Sequence, residues 1–501
     1  MPGVEEHKIA RGAVLQQISQ IWGAGCMLVA LTIVGRHFGP TRFGGYTVIT
    51  ALTAVVATVQ VAVDGIAVRH LSAESSPPAR GTAFSTVCVL YGVLGLLSGA
   101  LILGVGLVVI ELIGSRAGLT SELRDAVLAV AAVTALGWPA RSSRELLRAD
   151  HRFGLVAGAE FAAFTTVAAG VAVLVAIDAP LWAVTTVAGS MNLFAGLYCW
   201  LTRSAGERIE RFRLGDVSHV VLRELLGGAA GLAALGAADL LTYALDPAIL
   251  GAFRGPRAVG LYGAAARPPN LLYQLTGSVG LIVMPVAARY HASGDEQRLH
   301  DLIVRGTRYA LAATAPLAVT LIVMAGPLLH FWLGRTYEPA APALAIGASY
   351  WVVTAGNGIT IWNLMAAGKM NVFFRYAWSV TAANFVLSVV LSWQLGLVGV
   401  VLGTAVPALV GFFFLTSIEV RELPVTVREL ARQSWLPAWL VASIVGIICL
   451  ALRLLAPPDS LFGVAGEAAV ALAVGWAVLW RWLFSSQERA LVLALARNPF
   501  V

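Results

Sequence analysis

Several ionisable side chains lie inside stretches that are otherwise long, uncharged and apolar. Arg267 lies within 259–287, and Asp239 and Asp246 lie within 225–250. An ionised group at such a position costs roughly 2.5–3.5 kcal/mol on insertion scales, so each is a candidate functional group. A guanidinium keeps its charge and offers paired hydrogen-bond donors, which suits it to a phosphate or diphosphate. Alternatively, the arginine extends to the nearest membrane–water interface. The two aspartates are seven residues apart and so share one helix face. Either carboxylate would bind a coupling proton or sodium ion, or one of them would pair with Arg267 while no substrate is bound.

Two further acidic side chains lie nearer the ends of apolar stretches. Asp64 lies about one turn before Arg69, and Glu160 lies about two turns into the fifth apolar stretch. A local charge arrangement, or a side chain that extends to the interface, explains them as well as a coupling role does. Asp246 likewise has a structural alternative as a cap or turn residue, since Pro247 follows it. The ion-coupling candidates are Asp239, Asp246, Asp64 and Glu160.

Polar side chains suited to a polar or anionic ligand occur on other helices. Arg141, Arg144 and Arg148 recur at helical spacing, so they would share one face. They either meet an incoming phosphate or hold their loop on the cytoplasmic side, where Lys and Arg are enriched. Gln17 and Gln20 offer amide hydrogen bonds that suit either a substrate or helix packing. The substrate-binding candidates are Arg267, Asn270, Gln17, Gln20, Arg141 and Arg144.

The composition sets the class of protein. Hydrophobic residues make up 58% of the 501 residues and charged residues 12%, whereas soluble domains carry about 25% charged residues. The chain is therefore predicted to be an all-α integral membrane protein. Its apolar runs are continuous over about 20 residues, as membrane-spanning helices require, whereas barrel strands alternate over about ten. The net charge of +7 is not concentrated on a soluble segment, which argues against a nucleic-acid partner.

Apolar stretches long enough to span a bilayer number fourteen, and charge predicts their orientation. With the N-terminus inside, 25 Lys and Arg residues lie in cytoplasmic segments and 8 on the opposite side, which predicts that both termini are cytoplasmic. The first stretch is too long for a signal peptide, so no cleavable leader is expected. The turn between the eleventh and twelfth spans is assigned to WQLG at 393–396. The predicted spans are 13–35, 45–68, 83–110, 125–140, 154–177, 181–202, 225–250, 259–287, 309–331, 341–366, 373–393, 397–418, 436–452 and 463–480.

No motif indicates metal chemistry or enzymatic catalysis. The four cysteines lie in predicted spans and form no C-x-x-C pair, and the eight histidines are scattered. H-E-x-x-H, G-x-S-x-G and phosphate-loop patterns do not occur. We therefore expect no enzyme activity and no cofactor apart from coupling to protons or sodium ions.

One sequence pattern of glycine, proline and tyrosine occurs twice in the chain. GRHFGPTRFGGY at 35–46 and GAFRGPRAVGLY at 251–262 both read G-x-x-x-G-P-x-x-x-G-x-Y, at an offset of 216 residues. Gly-Pro cannot continue a helix, so each copy marks a turn between two spans. Six predicted spans separate the copies, so both face the same side. Duplication predicts two parallel six-helix lobes related by an axis along the membrane normal.

A second repeated segment supports the duplication and completes the domain assignment. LLRADHRF at 146–153 and LMAAGKMN at 364–371 match at an offset of 218, each as a short basic turn between spans. The predicted regions are a cytoplasmic tail 1–12, an N-lobe 13–202, a cytoplasmic linker 203–224, a C-lobe 225–418, a second linker 419–435, an appended helix pair 436–484 and a cytoplasmic tail 485–501.

These motifs resemble those of a known family. DPAILGAFRGPRAVGLYGAAARPPNLLYQLTGSVGLIVMP at 246–285 is similar to the polysaccharide-lipid flippases, the O-antigen and exopolysaccharide translocases. That family belongs to the multidrug/oligosaccharidyl-lipid/polysaccharide exporter superfamily. Its members share an Asp, a Gly-rich turn, G-x-Y-x-x-A-x-R and a later Pro, and here the Arg is Arg267. The first Gly-Pro turn and LLRADHRF also fit, and the specific matches cover about a fifth of the chain.

The resemblance implies a function and partners. Family members move a glycan on an undecaprenyl-diphosphate carrier from the cytoplasmic to the outer leaflet by alternating access. The implied partners are that lipid-linked glycan, membrane lipids, and the polymerase and glycosyltransferases of surface polysaccharide synthesis. The implied location is the inner (plasma) membrane. Arg267 would then bind the diphosphate.

Three alternatives remain at the level of sequence. A cation-coupled multidrug or small-molecule exporter shares the fold, but such antiporters usually have twelve spans and an acidic or aromatic binding site. A lipid II flippase would carry additional arginines in its first helix, whereas 13–35 has none. An integral-membrane glycan polymerase or ligase would need a large outer loop, and the predicted outer loops are short.

Overall fold

Uninterrupted apolar runs form the helices of this protein, and Gly or Pro residues separate many of them. The computed structural model describes residues 2–74, 76–114, 118–203, 212–483 and 489, and this part of the chain contains helices and no β-strand. The all-α prediction is confirmed. The helices are α1 Pro2–Ala73, α2 Pro77–Gly114, α3 Thr120–Ala149, α4 Phe153–Ala176, α5 Leu181–Gly189, α6 Met191–Arg203, α7 His219–Arg254, α8 Pro256–Ser293, α9 Glu296–Leu333, α10 Ala341–Ser349, α11 Trp351–Thr354, α12 Asn357–Ala366, α13 Met370–Leu395, α14 Leu397–Glu422, α15 Val427–Leu430, α16 Leu436–Leu455 and α17 Leu461–Val478.

Many of these helices are long enough to cross a membrane. Within the described residues, nine helical segments have the necessary length and hydropathy, and counting each of two bent pairs as one span gives eleven. One of the nine, Leu15–Ala73, contains the first two predicted spans. Helices α7 and α8 lie outside this count and hold the predicted spans 225–250 and 259–287. The chain is a multi-pass membrane protein, while the number fourteen and the orientation stay predictions.

Two predicted spans are broken helices. The predicted span 181–202 consists of α5 and α6, which meet at an angle of 47°. The predicted span 341–366 is likewise bent, by 51° between Arg335–Thr354 and Asn357–Ala366. By contrast, the predicted WQLG turn is confirmed, because α13 ends at Leu395 and Gly396 turns the chain with a φ of 61° before α14 begins.

The repeated Gly-Pro pattern forms two turns of the same conformation. Gly39 has φ 66° and ψ 176°, and Gly255 has φ 77° and ψ 178°. These left-handed φ values favour glycine. Gly39 breaks α1 into two helical segments, of which Pro40 starts the second, and Pro256 starts α8. The prediction that both copies mark turns between helices is confirmed.

The helices that follow the two turns touch each other reciprocally. A Cβ built on Gly44 would lie 2.7 Å from the carbonyl carbon of Pro256, and one built on Gly260 would lie 2.8 Å from that of Pro40. Only glycine permits such an approach, as in the small-residue contacts of membrane helices. The third glycine of each copy therefore makes room for the proline of the other.

The second repeated segment also forms similar turns in the structure, but the two copies align at a different offset. Helices α3 and α12 end at Ala149 and Ala366, and the next helices begin at Phe153 and Met370. In each turn one residue has positive φ, 57° at His151 and 73° at Gly368. The amide nitrogen of Arg152 donates to Leu147 and that of Lys369 donates to Leu364, each at 2.9 Å. The turns thus correspond at an offset of 217 residues, so the predicted offset of 218 is wrong by one.

Packing divides the chain into two compact units, 1–260 and 261–501. In the first unit α2 packs on α3, α1 packs on α4, and α7 packs on α1 and α2. In the second unit α13 pairs with α14, while α10, α16 and α17 pack against α9. The predicted lobe and linker boundaries stay predictions.

Candidate functional site: a buried charge network and a separate arginine

Helix α3 presents four charged side chains at its C-terminal end. Arg141, Arg144, Glu145 and Arg148 follow the helical spacing i, i+3, i+4 and i+7, and the first three are at least nine-tenths buried. Within this group Arg144 Nε donates to Glu145 Oε1 at 2.8 Å, and Arg148 Nη1 donates to Glu145 Oε2 at 3.3 Å. The guanidinium groups therefore do not simply extend to water, as the cytoplasmic-loop interpretation of these arginines would suggest.

Asp64 of α1 is one acidic centre of this network. Its carboxylate accepts hydrogen bonds from the guanidinium of Arg141, from Arg144 Nη2 at 3.2 Å and from Tyr91 Oη at 2.7 Å. Tyr91 is held in turn by an edge-on contact with Trp138, with ring centroids 5.5 Å apart. Asp64 is 5% exposed, and its partners are arginines about 80 residues away rather than the nearby Arg69.

Two amides orient the Arg141 guanidinium from its other side. Asn192, which directly follows the break between α5 and α6, accepts from Arg141 through its side-chain oxygen. Asn192 Nδ2 also donates to Gln60 Oε1 at 3.1 Å, and Arg141 Nη1 lies 3.4 Å from the same oxygen. The predicted span 181–202 is thus broken just before Asn192, the second residue of α6, whose side chain bonds Arg141 and Gln60.

Glu160 of α4 is the second acidic centre. Arg148 Nη2 donates to it at 2.9 Å and Arg144 Nη1 lies 3.6 Å away. Gln20 Nε2 donates to its other oxygen at 2.9 Å, and Gln16 Nε2 does so as well. The four partners come from two helices, α1 and α3, so Glu160 ties both of them to α4.

The network carries no net charge. It contains three arginines, Arg141, Arg144 and Arg148, and three carboxylates, Asp64, Glu145 and Glu160. Buried apolar clusters flank it, which keeps water away and strengthens each ion pair. A coupling ion or a phosphate could enter only by displacing a charge of the same sign. The assigned roles of Asp64, Glu160, Arg141, Arg144 and Gln20 stay predictions.

The remaining candidates in the first unit are Gln17, Asp246 and Asp239. Gln17 is exposed, whereas the amides that bond Glu160 are those of Gln16 and Gln20. Asp246 is 1% exposed and has a partner, and α7 continues through Pro247 without ending. Asp239 lies in a stretch of α7 whose side chains are outside the described ones.

Arg267 has a different environment. It lies in α8 directly before Pro268 and Pro269, is half-buried, and makes no ion pair or hydrogen bond with any residue that the structure describes. Asn270 lies one turn further and is also half-buried. Gln274, another turn on, is exposed and shares this face at the spacing i, i+3, i+7. Arg267 is thus a cation in a largely apolar helix without an acidic partner in the described part of the chain.

Sequence reasoning missed several members of the network. Glu145 carried a local signal, because it lies three residues before Arg148 and follows Arg144 directly. Gln60 also lies four residues before Asp64, a spacing that places both on one face. Tyr91 and Asn192 carried no such signal, since their partners are distant in the sequence.

Solved structures with the same fold are a flippase and multidrug transporters. The structure of the lipid II flippase MurJ in its inward closed conformation matches with a TM-score of 0.73 at 15% identity, over 93% of this chain and 99% of that one. An inward-facing MATE family multidrug transporter of the MOP superfamily matches with 0.57 at 14% identity, over 81% and 94%. The MATE transporter DinF-BH matches with 0.55 at 14%, over 83% and 95%. These identities show the fold alone.

The sequence comparison identifies the family. The family described as polysaccharide biosynthesis protein matches residues 33–342, which is more than half of the chain. The chain belongs to this family, and the predicted resemblance to the flippases of its superfamily is confirmed. The uncharacterized membrane protein EpsK of Bacillus subtilis (strain 168) is 30% identical over 197 residues. This match covers 39% of either chain, so it spans well under two thirds of that relative.

Proposed function

We propose that this protein is a flippase that moves an undecaprenyl-diphosphate-linked oligosaccharide from the cytoplasmic to the outer leaflet of the plasma membrane. It works by alternating access, supplies surface polysaccharide synthesis, and is not itself an enzyme. Family membership supports the polysaccharide context, and the fold shared with a flippase and transporters supports transport. Glycosyltransferases would supply its substrate, and a glycan polymerase would use the product.

The observation that carries the substrate class is that Arg267 makes no ion pair with any residue in the described part of the chain. A buried or half-buried cation without a carboxylate partner is unfavourable in a membrane environment. A diphosphate supplies the missing negative charge, and the planar guanidinium binds two of its oxygens at once. In the first unit, by contrast, every arginine of the charge network already has a carboxylate partner.

The surrounding face of α8 suits the rest of the headgroup. Asn270 and Gln274 follow Arg267 on the same face and offer both hydrogen-bond donors and acceptors, as sugar hydroxyl and acetamido groups require. A cationic drug would meet the charge of Arg267 unfavourably. This arrangement therefore favours an anionic glycolipid over the cations that a multidrug exporter would carry.

Glycan display at the cell surface tests the proposal. A host that lacks its own translocase receives the wild type, Arg267→Ala, Arg267→Lys or Arg257→Ala at equal membrane abundance. We expect Arg267→Ala to reduce display at least tenfold and Arg267→Lys to retain part of it, because an ammonium keeps the charge but loses bidentate geometry. Arg257, exposed in the same helix, is the matched control and should display normally.

Two further strains distinguish the alternatives. Rescue of cells depleted of their lipid II flippase, without glycan display, would assign the related lipid II substrate instead. Lower drug accumulation without display would assign the exporter function. Normal display by Arg267→Ala would refute the role of Arg267 while leaving the transport class intact.

A further inference from the structure

An aromatic side chain lies beside the polar residues of α8. Tyr273 lies three residues after Asn270 and directly before Gln274, and it is 39% exposed. It is at the centre of the predicted span 259–287, whereas tyrosines that anchor a helix at the membrane surface lie near the ends of a span. Anchoring at the surface therefore does not account for Tyr273.

One face of α8 is covered by the bent segment that corresponds to the predicted span 341–366. A Cβ built on Gly347 of α10 would lie 3.5 Å from Pro269 Cγ. Leu272 is buried in the same apolar cluster as Trp351 of α11. These contacts place Pro269 and Leu272 on the face of α8 that packs against this segment.

Tyr273 lies at the border between this covered face and the polar face. Around the helix axis it is about 40° from Pro269 and, on its other side, about 60° from Asn270, at 3.6 residues per turn. Gln274 and Arg267 follow further round in the same direction. The ring therefore adjoins the face that carries Arg267, Asn270 and Gln274.

Trp351 supports the Tyr273 ring from the covered side. The centroids of the two rings are 6.1 Å apart and their planes are inclined at 61°, so Trp351 leaves at least one face of the Tyr273 ring uncovered. Trp351 is itself packed against Tyr350, with ring centroids 5.2 Å apart. The neighbouring carbonyl of Val352 accepts a hydrogen bond from Trp439 Nε1 at 2.8 Å. A well-packed segment thus holds a partly exposed aromatic ring in place.

An aromatic face beside amide groups matches the chemistry of a sugar ring. A pyranose carries hydroxyl groups around its edge and polarised C–H groups on its faces. The negative face of an aromatic ring attracts the C–H groups, and the amides of Asn270 and Gln274 can bond the hydroxyl groups. An alkyl chain has no such polar edge. Apolar side chains suited to it, Leu271 and Leu275, lie on the far side of the polar face and are 53% and 41% exposed.

We propose that Tyr273 stacks on the first sugar of the lipid-linked glycan and so contributes to sugar selectivity, an inference that rests on the function proposed above. Arg267 and Tyr273 are six residues apart, which is about 9 Å along the helix axis. A diphosphate followed by one pyranose ring has a comparable length. With the diphosphate at Arg267, the glycan extends towards Tyr273 and the prenyl chain towards Leu271 and Leu275.

Direct binding of ³²P-labelled lipids to the purified full-length protein in detergent micelles tests this stacking. The probes are undecaprenyl diphosphate and the same lipid bearing either N-acetylglucosamine or galactose. The sugar preference is the affinity for a sugar-bearing lipid divided by the affinity for the sugar-free lipid. We expect the wild type to prefer at least one sugar-bearing lipid. Tyr273→Leu keeps an apolar side chain but loses the aromatic face, so it should lower that preference by about two- to tenfold.

Three further variants define the cause of such a loss. Tyr273→Phe retains the aromatic face and should keep the sugar preference. Tyr309→Leu is the matched control, because Tyr309 is 37% exposed on α9 of the same unit and its ring contacts Arg308 instead. It should bind all the lipids like the wild type. Arg267→Ala should weaken the binding of the sugar-free and the sugar-bearing lipids alike, because all of them carry the diphosphate.

Several outcomes would overturn the stacking role. They are equal affinity of the wild type for all the lipids, an unchanged sugar preference in Tyr273→Leu, and equal weakening of all the lipids by Tyr273→Leu, which would assign the ring to the prenyl chain. Loss of the preference in Tyr273→Phe would assign the hydroxyl group instead of the ring, and this outcome does not depend on the folding of Tyr273→Leu. Failure of the wild type to bind even undecaprenyl diphosphate would contradict the proposed function itself, so the two failures are distinguishable.

Discussion

Adding one methyl group at Gly44 or Gly260 should push apart the two helices that follow the repeated Gly-Pro turns. A Cβ at Gly44 would lie 2.7 Å from the Pro256 carbonyl carbon, and one at Gly260 would lie 2.8 Å from the Pro40 carbonyl carbon. Ordinary Cβ contacts begin near 3.4 Å, and the carbonyl oxygens of Pro256 and Pro40 lie closer still, so the backbones must separate by more than about 0.7 Å. No side-chain rotation relieves this clash, because the opposing atoms belong to the main chain.

The cost of this separation can be compared with a matched glycine. Gly65 lies in the same helix as Gly44, and a Cβ there would meet nothing within 4 Å. Gly65→Ala should therefore stabilise the helix by about 0.5–1 kcal/mol. Gly44→Ala gains the same helix preference but adds an overpacking cost of about 1–3 kcal/mol. The difference between the two variants isolates the contact.

Because the contact is reciprocal, the two substitutions should not be additive. Once Gly44→Ala has separated the helices, Gly260→Ala meets less resistance, so the double variant should be destabilised less than the sum of the single variants. Interaction energies between contacting sites are about 0.5–3 kcal/mol. This test separates one shared contact from two independent packing defects.

Thermal unfolding in detergent micelles, followed by tryptophan fluorescence, measures these differences. We expect both Gly44→Ala and Gly260→Ala to melt below Gly65→Ala, and glycan display to fall in the same order. Melting of Gly44→Ala or Gly260→Ala at the temperature of Gly65→Ala would refute the close contact. Strict additivity in the double variant would refute its reciprocity.

Two predictions concern the interiors of the units. Asp64→Asn leaves the Arg141 guanidinium without its carboxylate, so it should lower the free energy of unfolding by about 3–5 kcal/mol. Tyr91→Phe removes one hydrogen bond and should lower it by about 1–3 kcal/mol. Denaturant titration of the purified protein measures both, and equal stability of Asp64→Asn and wild type would contradict the network. Gly403→Ala would place a Cβ 2.6 Å from Ser388 Cα, so it should destabilise the α13–α14 pair by about 1–3 kcal/mol. Gly466→Ala, with nothing within 4 Å, is its control in the same melting assay.

Local signals in the sequence predicted most of the helices and the glycine turns, but not the breaks within 181–202 and 341–366. Continuous apolar runs require helices in a membrane, and Gly39, Gly255 and Gly396 each mark a turn because the chain there has positive φ. The offset between the two copies of the second repeated segment was less well determined by the sequence. Leu146 and Leu147 are adjacent, so letter matching at Leu364 permits two offsets, and the turn hydrogen bonds select 217.

The charge network could be predicted only in part. The spacing of Arg141, Arg144 and Arg148 indicates one face of α3, but it does not say what that face meets. Asp64 and Glu160 come from other helices, and helix packing alone brings them there. The sequence instead favoured Arg69 as the partner of Asp64, because only charges that are close along the chain can be paired without knowledge of the helix packing.

The burial of Glu419 was not predicted, for a similar reason. It is the first residue of the predicted linker 419–435, because the apolar run ends at Ile418. Helix α14 nevertheless continues to Glu422, and Glu419 is buried beneath the charged end. The end of an apolar run therefore marks where residues first reach polar surroundings on average, and it does not indicate which individual side chains face the protein interior.

Charge balance distinguishes the charge network from Arg267 in this protein. In a medium of low dielectric constant, a buried charge requires an opposite charge or a ligand that supplies one. The network around Asp64 and Glu160 meets this requirement internally, so its arginines and acids stabilise the packing of α1, α3 and α4. Arg267 has no counter-charge among the described residues. The same physical requirement therefore predicts an anionic ligand at Arg267.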